Sequence, residues 1–205
     1  MANTLAPFGL SQVGGIPGAA PSFAMAAYPI LYSDTTKIYT NDPVKIGSNG
    51  YIAQWTAGTG VSQLFGIFAG CKYLSTSQAK VVWSPYWPGA DVASTAQSSI
   101  EAYVVPLSPG SGQRFVVQTA NSSTTAVAVT QADVGQNADI ALGTGSTLTG
   151  RSGAYLDINT FGTTATLPFR IVSLYPGGNA GNGADATTAY NWVIVQANIA
   201  QTTGI

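Results

Sequence analysis

The sequence predicts an all-β protein, an antiparallel β-barrel or jelly-roll-like sandwich with an extended N-terminal arm. Three observations predict it. Turn signals such as "NDP", "GSNG", "PGAD" and "GTGS" punctuate the chain at intervals of roughly 8–12 residues, the spacing of sandwich and barrel strands. Between them lie short runs rich in Val, Ile, Tyr, Phe and Thr, the residues that suit a pleated, half-buried surface. Helical periodicity is nearly absent. The chain is polar and Gly-rich, but its 10 Tyr, 7 Phe and 4 Trp supply the aromatic content that disordered chains lack.

The elements follow in chain order. The first 22 residues, "MANTLAPFGLSQVGGIPGAAPS", are rich in Gly, Ala and Pro and show neither a strand nor a helix period. They are read as an extended arm, residues 1–22, in front of one β domain, residues 23–205. Pro7, Phe8 and Leu10 have no obvious home within the chain and are candidates for contact with a neighbouring one. The strand-like runs are then "PVKI", "YIAQW", "LFGIFAG", "AKVVW", "EAYVV", "RFVVQT", "AVAVT", "AYLDI", "LPFRIVSLY" and "YNWVIVQA". In "TLPFRIVSLY", Leu167, Phe169, Ile171 and Ser173 fall on one face. That run and "YNWVIVQANI" are the longest apolar stretches and are expected at the centre, buried on two faces or nearly so. The loop between them, "GGNAGNGADATTA", is long for a hairpin. The best helix candidate is "DVASTAQSSI", with Asp91 as its N-cap. Its Ser and Thr content weakens it.

The chain has 205 residues, the size of one domain with a substantial core. Only 7% of them are charged, against about 25% in an ordinary soluble domain. Ser, Thr, Asn, Gln and Gly must therefore form most of the surface, and such a surface tends to associate. The net charge is -1 and no basic run exists, which argues against binding a nucleic acid backbone. The stretch "MANTLAPFGL" lacks the basic start and apolar core expected of a signal peptide, and no run of about 18 apolar residues suggests a membrane span, so no membrane partner is expected. Cys71 is the single cysteine and reads as a small buried hydrophobe.

Catalytic chemistry finds little support. There is no histidine, which removes Ser-His-Asp and Cys-His nucleophile systems and nearly all catalytic zinc sites. No catalytic residue, metal site or cofactor is therefore expected. Most carboxylates sit in turns, where Asp caps local backbone groups. Glu101 and Asp157 alone look embedded in strands, and a glycosidase-like pair would have to use them. The run "GSTLTGRS", Gly145 to Ser152, comes within one residue of a phosphate-binding loop, with Arg151 where the lysine belongs. Such a loop joins a buried strand to a helix N-terminus. Here "ADIALGTG" is a weak strand at best and "GAYLDINTFG" favours a strand, so the run reads as a turn region between strands. Arg151 is expected to be exposed or to pair locally, or else to form a salt bridge across subunits.

The aromatic cluster "WSPYWPG" holds Trp83, Tyr86 and Trp87. Tyr and Trp are enriched in protein interfaces, so these three are candidate contact residues. Aromatic rows on β folds also stack on sugars, which makes a glycan-binding module the rival reading.

The order of "APFGL", "DPVKI", "GIFAGCKY", "SPYWPG", "EAYVV", "GTGSTLTGRSGAYLD", "TTATLPFRIVSLYPG" and "YNWVIVQANI" resembles small structural proteins of tailed-bacteriophage virions, the capsid decoration or cement proteins. The likeness runs over nearly the whole chain. It departs after "EAYVV", where "PLSPGSGQ" replaces an acidic stretch. The resemblance implies a non-enzymatic β-barrel or jelly-roll protein, made in the host cytoplasm and placed on the outer capsid surface. Its partners would be the major capsid protein and itself, as a homodimer or homotrimer. A tail-associated receptor- or glycan-binding β module is the alternative.

Overall fold

A computed structural model of the chain describes residues 2–14, 24–56, 64–108, 112–175 and 185–198. Part of the predicted arm (15–22) and most of the long loop before the last strand (176–184) lie outside them. The described strands are β1 (Ser11–Gly14), β2 (Ala26–Tyr28), β3 (Ile38–Tyr39), β4 (Pro43–Ile46), β5 (Ile52–Gln54), β6 (Gly66–Ser75) and β7 (Lys80–Ser84). They continue with β8 (Tyr86–Trp87), β9 (Glu101–Pro106), β10 (Arg114–Ala120), β11 (Asn137–Ala141), β12 (Tyr155–Gly162), β13 (Phe169–Leu174) and β14 (Trp192–Ala197). The all-β expectation is met.

Five strands close into a barrel in the order β10–β12–β11–β13–β14 and back to β10. Closure leaves these strands without free edges along the barrel wall. Its junctions are antiparallel except for β10–β12, where Thr119 pairs with Leu156 and Ala120 with Asp157 in parallel. A barrel strand buries one face. β14 accordingly turns Val193, Val195 and Ala197 inward and leaves Trp192, Ile194 and Gln196 half-buried on the outside. β14 thus agrees with the expectation of burial on two faces or nearly so, whereas β13 leaves Arg170 exposed on its outer face. The weak-looking segment "NADIA" is β11, which buries Ala138 and Ile140. The run "AVAVT" forms no strand.

The second sheet has the order β2–β9–β6–β4–β5, with β7 added along the far half of β6. β6 and β9 serve two hydrophobic clusters. Ile67, Val105 and Leu107 face the barrel cluster, while Phe68, Cys71, Ala102 and Val104 face a second one with Ile30, Ile38, Val44, Ile52 and Trp87. This shared wall explains why "GIFAG" and "YVV" read as unbroken apolar runs instead of alternating ones.

The N-terminal segment departs most from expectation. Leu10 is fully buried in the barrel cluster, and β1 pairs antiparallel with β10, Ser11 opposite Val116. Gln118, itself buried, accepts a hydrogen bond from Ala6 N (2.8 Å) and donates to the Thr4 carbonyl (2.9 Å). Gly9 N donates to Ala154 O and Leu10 N to Asn41 O. Gly9 has φ +74°, and a Cβ there would lie 2.3 Å from Asn41 O, so only glycine lets the two backbones close. Leu10 cannot then be a free contact residue. Its partners lie more than 30 residues away, where no local period can reveal them.

The helix candidate also resolves differently. Ser94–Ser99 is 3-10, with Ala93 at its N-cap position. Asp91 instead accepts hydrogen bonds from Ser75 Oγ (2.6 Å), Ser77 N (2.6 Å) and Ser77 Oγ (3.0 Å). It ties down the turn between β6 and β7, and these bonds hold its carboxyl below the ordinary range.

Candidate interaction surface

The Gly-rich run that imitates a phosphate loop is the link between β11 and β12, and a strand follows it where a helix would be needed. Its backbone is tightly braced. Gly143 N donates to Gly153 O (3.1 Å), Ser146 N to Arg151 O (2.9 Å) and Gly150 N to Ser146 O (2.7 Å). Thr40 N donates to Gly150 O, and Ser152 N returns a bond to Thr40 O. Gly150 has φ +70°, and a Cβ there would lie 2.4 Å from Pro85 Cγ. Gly145 rests against the Tyr39 ring, which stacks on Tyr86 at 5.7 Å. Tyr86 thus supports this loop from beneath. At the tip, Leu148 is 95% exposed. Composition held the signal for Leu148: it is the single large apolar residue between Gly145 and Ser152.

Beside this tip lies a groove of about 620 Å³ between the N-terminal segment and the β11–β12 link. Pro7, Phe8, Gln118, Thr149, Arg151 and Trp192 are among its lining residues. Phe8 meets the Trp192 ring edge-on at 5.0 Å. It is half-buried against its own chain, as is Pro7. Arg151 is exposed and joins no ion pair among the described residues. Local pairing of its guanidinium is thus not seen.

The aromatic cluster splits three ways. Trp83, on β7, is 67% exposed and lies flat on Tyr103, with ring centroids 5.6 Å apart and planes 6° from parallel. Lys72 Nζ stands 5.5 Å from the Trp83 ring centre and 2.7 Å from Glu101 Oε1. The Tyr103 hydroxyl donates to Glu101 Oε2 at 2.7 Å. Lys72, first, and then Tyr103 hold the Glu101 carboxyl below its usual range. Burial, and then Glu101, push Tyr103 up to about 12. Trp87, by contrast, is fully buried. Its Nε1 donates to Asp34 O (2.9 Å) and its ring packs edge-on against Tyr73. Trp87 therefore has no face to offer a partner or a sugar. Simple alternation would place Trp83 and Trp87 on one side, but Pro85 separates β7 from β8 and resets it. Sequence reasoning missed Lys72 and Tyr103, which join this surface only through the pairing of β6 with β7 and β9.

Glu101 and Asp157 lie in different sheets. Asp157 is buried and accepts hydrogen bonds from Ser122 N and Oγ and from Asn159 N, so each carboxylate has its own structural duty. Burial pushes the Cys71 thiol up to about 12. A thiol reagent is therefore expected to leave Cys71 unlabelled in buffer and to label it fully in urea. Rapid labelling of the folded chain would contradict its placement.

No known family model matches the chain, and neither a curated protein nor a solved structure does.

Proposed function

We propose that this protein is a virion structural protein that binds the outer surface of a phage capsid and cements neighbouring major capsid subunits. The supporting observation is the combination of a weakly charged chain with several exposed large apolar side chains. Leu5, Met25, Val81, Trp83, Val127 and Leu148 are each more than half exposed on a body whose charged fraction is 7%. Such a surface suits burial in an assembly better than permanent exposure to water. The segment order supports a capsid as that assembly. Cementing follows from multivalency: weak contacts repeated by icosahedral symmetry act at high effective concentration. Binding to the expanded shell alone would stabilise that shell by linkage.

The test is co-sedimentation of the purified protein with expanded shells that lack it. Saturable binding in a fixed ratio to capsid subunits is expected. Leu148→Asp, which touches no core, is expected to weaken that binding roughly tenfold, as loss of one apolar anchor does. Absence of binding by the unaltered protein would refute the reading.

A further inference from the structure

Among the described residues, β7 is an unprotected edge. It pairs with β6 along one side and with no described strand along the other. Native edge strands are usually blunted by charges, prolines or bulges. From Val81 to Ser84 β7 has none of these, and its one charge, Lys80, stands at its start. Val82 and Ser84 turn toward the core side. Val81 and Trp83 turn outward, 51% and 67% exposed. The same outer face continues into Tyr103, and Met25 adjoins it across a shallow apolar depression of about 410 Å³. The charges on this face, Lys72 and Glu101, neutralise each other at 2.7 Å. A partner here meets open backbone hydrogen-bonding groups and apolar side chains, and the one charge without an ion-pair partner among the described residues of this face is Lys80 at the start of the strand.

We infer that the occupant of this edge is a second copy of the chain, paired β7 to β7 in antiparallel register about a two-fold axis at Val82. An antiparallel edge is its own complement under a two-fold, so an isologous dimer needs no other surface. In this register Val81 of each copy stands opposite Trp83 of the other, an aromatic–β-branched pair. Lys80 stands opposite Ser84, so the two lysines do not oppose each other. Pro85, which lacks an N–H, ends the pairing just beyond. The two sheets become one continuous sheet across the dimer. This inference does not depend on the proposed capsid role.

Sedimentation velocity tests it on the full chain at micromolar concentrations. The unaltered protein is expected to be a dimer. Val81→Lys with Trp83→Lys places ammonium groups opposite each other twice and is expected to weaken the dimer by tenfold or more, leaving a folded monomer. Both positions are exposed, so an unchanged circular dichroism spectrum is expected. Val81→Glu with Trp83→Lys sets opposite charges across the same pairs and is expected to restore the dimer. A monomeric or trimeric unaltered protein, or a double-lysine variant that dimerises as before, would overturn the inference. A monomeric Glu/Lys variant would overturn its register. If the dimer stands but capsids are not bound, the proposed function fails and this inference survives. If the double-lysine variant instead loses only capsid or glycan binding, this face serves that other partner and the inference is overturned.

Discussion

Leu10→Ala is expected to destabilise the protein by about 3 kcal/mol, because it removes a fully buried side chain from the barrel cluster and leaves a cavity that closes only in part. Leu10 packs in the cluster that also holds Trp55, Leu64, Phe115 and Phe169. Its backbone is fixed at the same point by the Asn41 carbonyl and, one residue earlier, by Ala154. Equilibrium urea unfolding measures the loss. In a chain of this size it corresponds to a fall in Tm of roughly 6–12 °C. A free arm would give a different result, since truncating an exposed leucine changes stability by about 0.5 kcal/mol or less. Deletion of residues 2–14 is expected to cost more than the single substitution, since it also strips β1 from β10 and leaves buried Gln118 without two of its partners. Loss of binding by such a truncation would therefore report on folding as much as on contact.

Asn191→Ala is expected to cost about 3–4 kcal/mol, through hydrogen bonds rather than packing. Asn191 is wholly buried just before β14. Its side chain accepts a hydrogen bond from Val129 N (3.0 Å) and donates one to Val129 O (2.9 Å), completing a backbone pair that no strand supplies. It also accepts from Thr119 Oγ1 at 3.1 Å. Alanine leaves the Val129 N–H and C=O unpaired away from water, and each such orphan costs about 1–3 kcal/mol. Thr119 keeps its bond to the Asn191 carbonyl, which limits the damage. Thermal unfolding followed by circular dichroism reads the effect, and a loss below about 1 kcal/mol would show that water or a backbone shift replaces the amide.

The same residues show which parts of the fold were legible. β4, β9, β10 and β14 announce themselves because each is a β-branched or aromatic run closed by a turn signal, and local sequence suffices for that. "AVAVT" carries the same signal and forms no strand. Val129 there is buried by the Asn191 amide, from 62 residues away, instead of by a ladder. "NADIA" carries almost no signal, yet it is a barrel strand because β12 and β13 flank it on both sides. The candidate surface divides in the same way. Trp83 stands on the surface, whereas Leu10 and Trp87, equally apolar, are interior. Which side of the protein a given residue faces depended on Pro85 in one case and on docking against Asn41 and Ala154 in the other. Neither is a local property. "GSTLTGRS" was readable as a strand connection from its flanks, but its exposed Leu148 gains meaning only once the bracing by Thr40, Pro85 and Tyr39 is seen.

The proposed capsid role is tested most directly by a cryo-microscopy map of phage particles that carry this protein. Density for the barrel on the outside of the shell, bridging neighbouring capsid subunits with the Leu148 tip at the contact, is the expected result. Density for the protein in the tail or inside the head would contradict it.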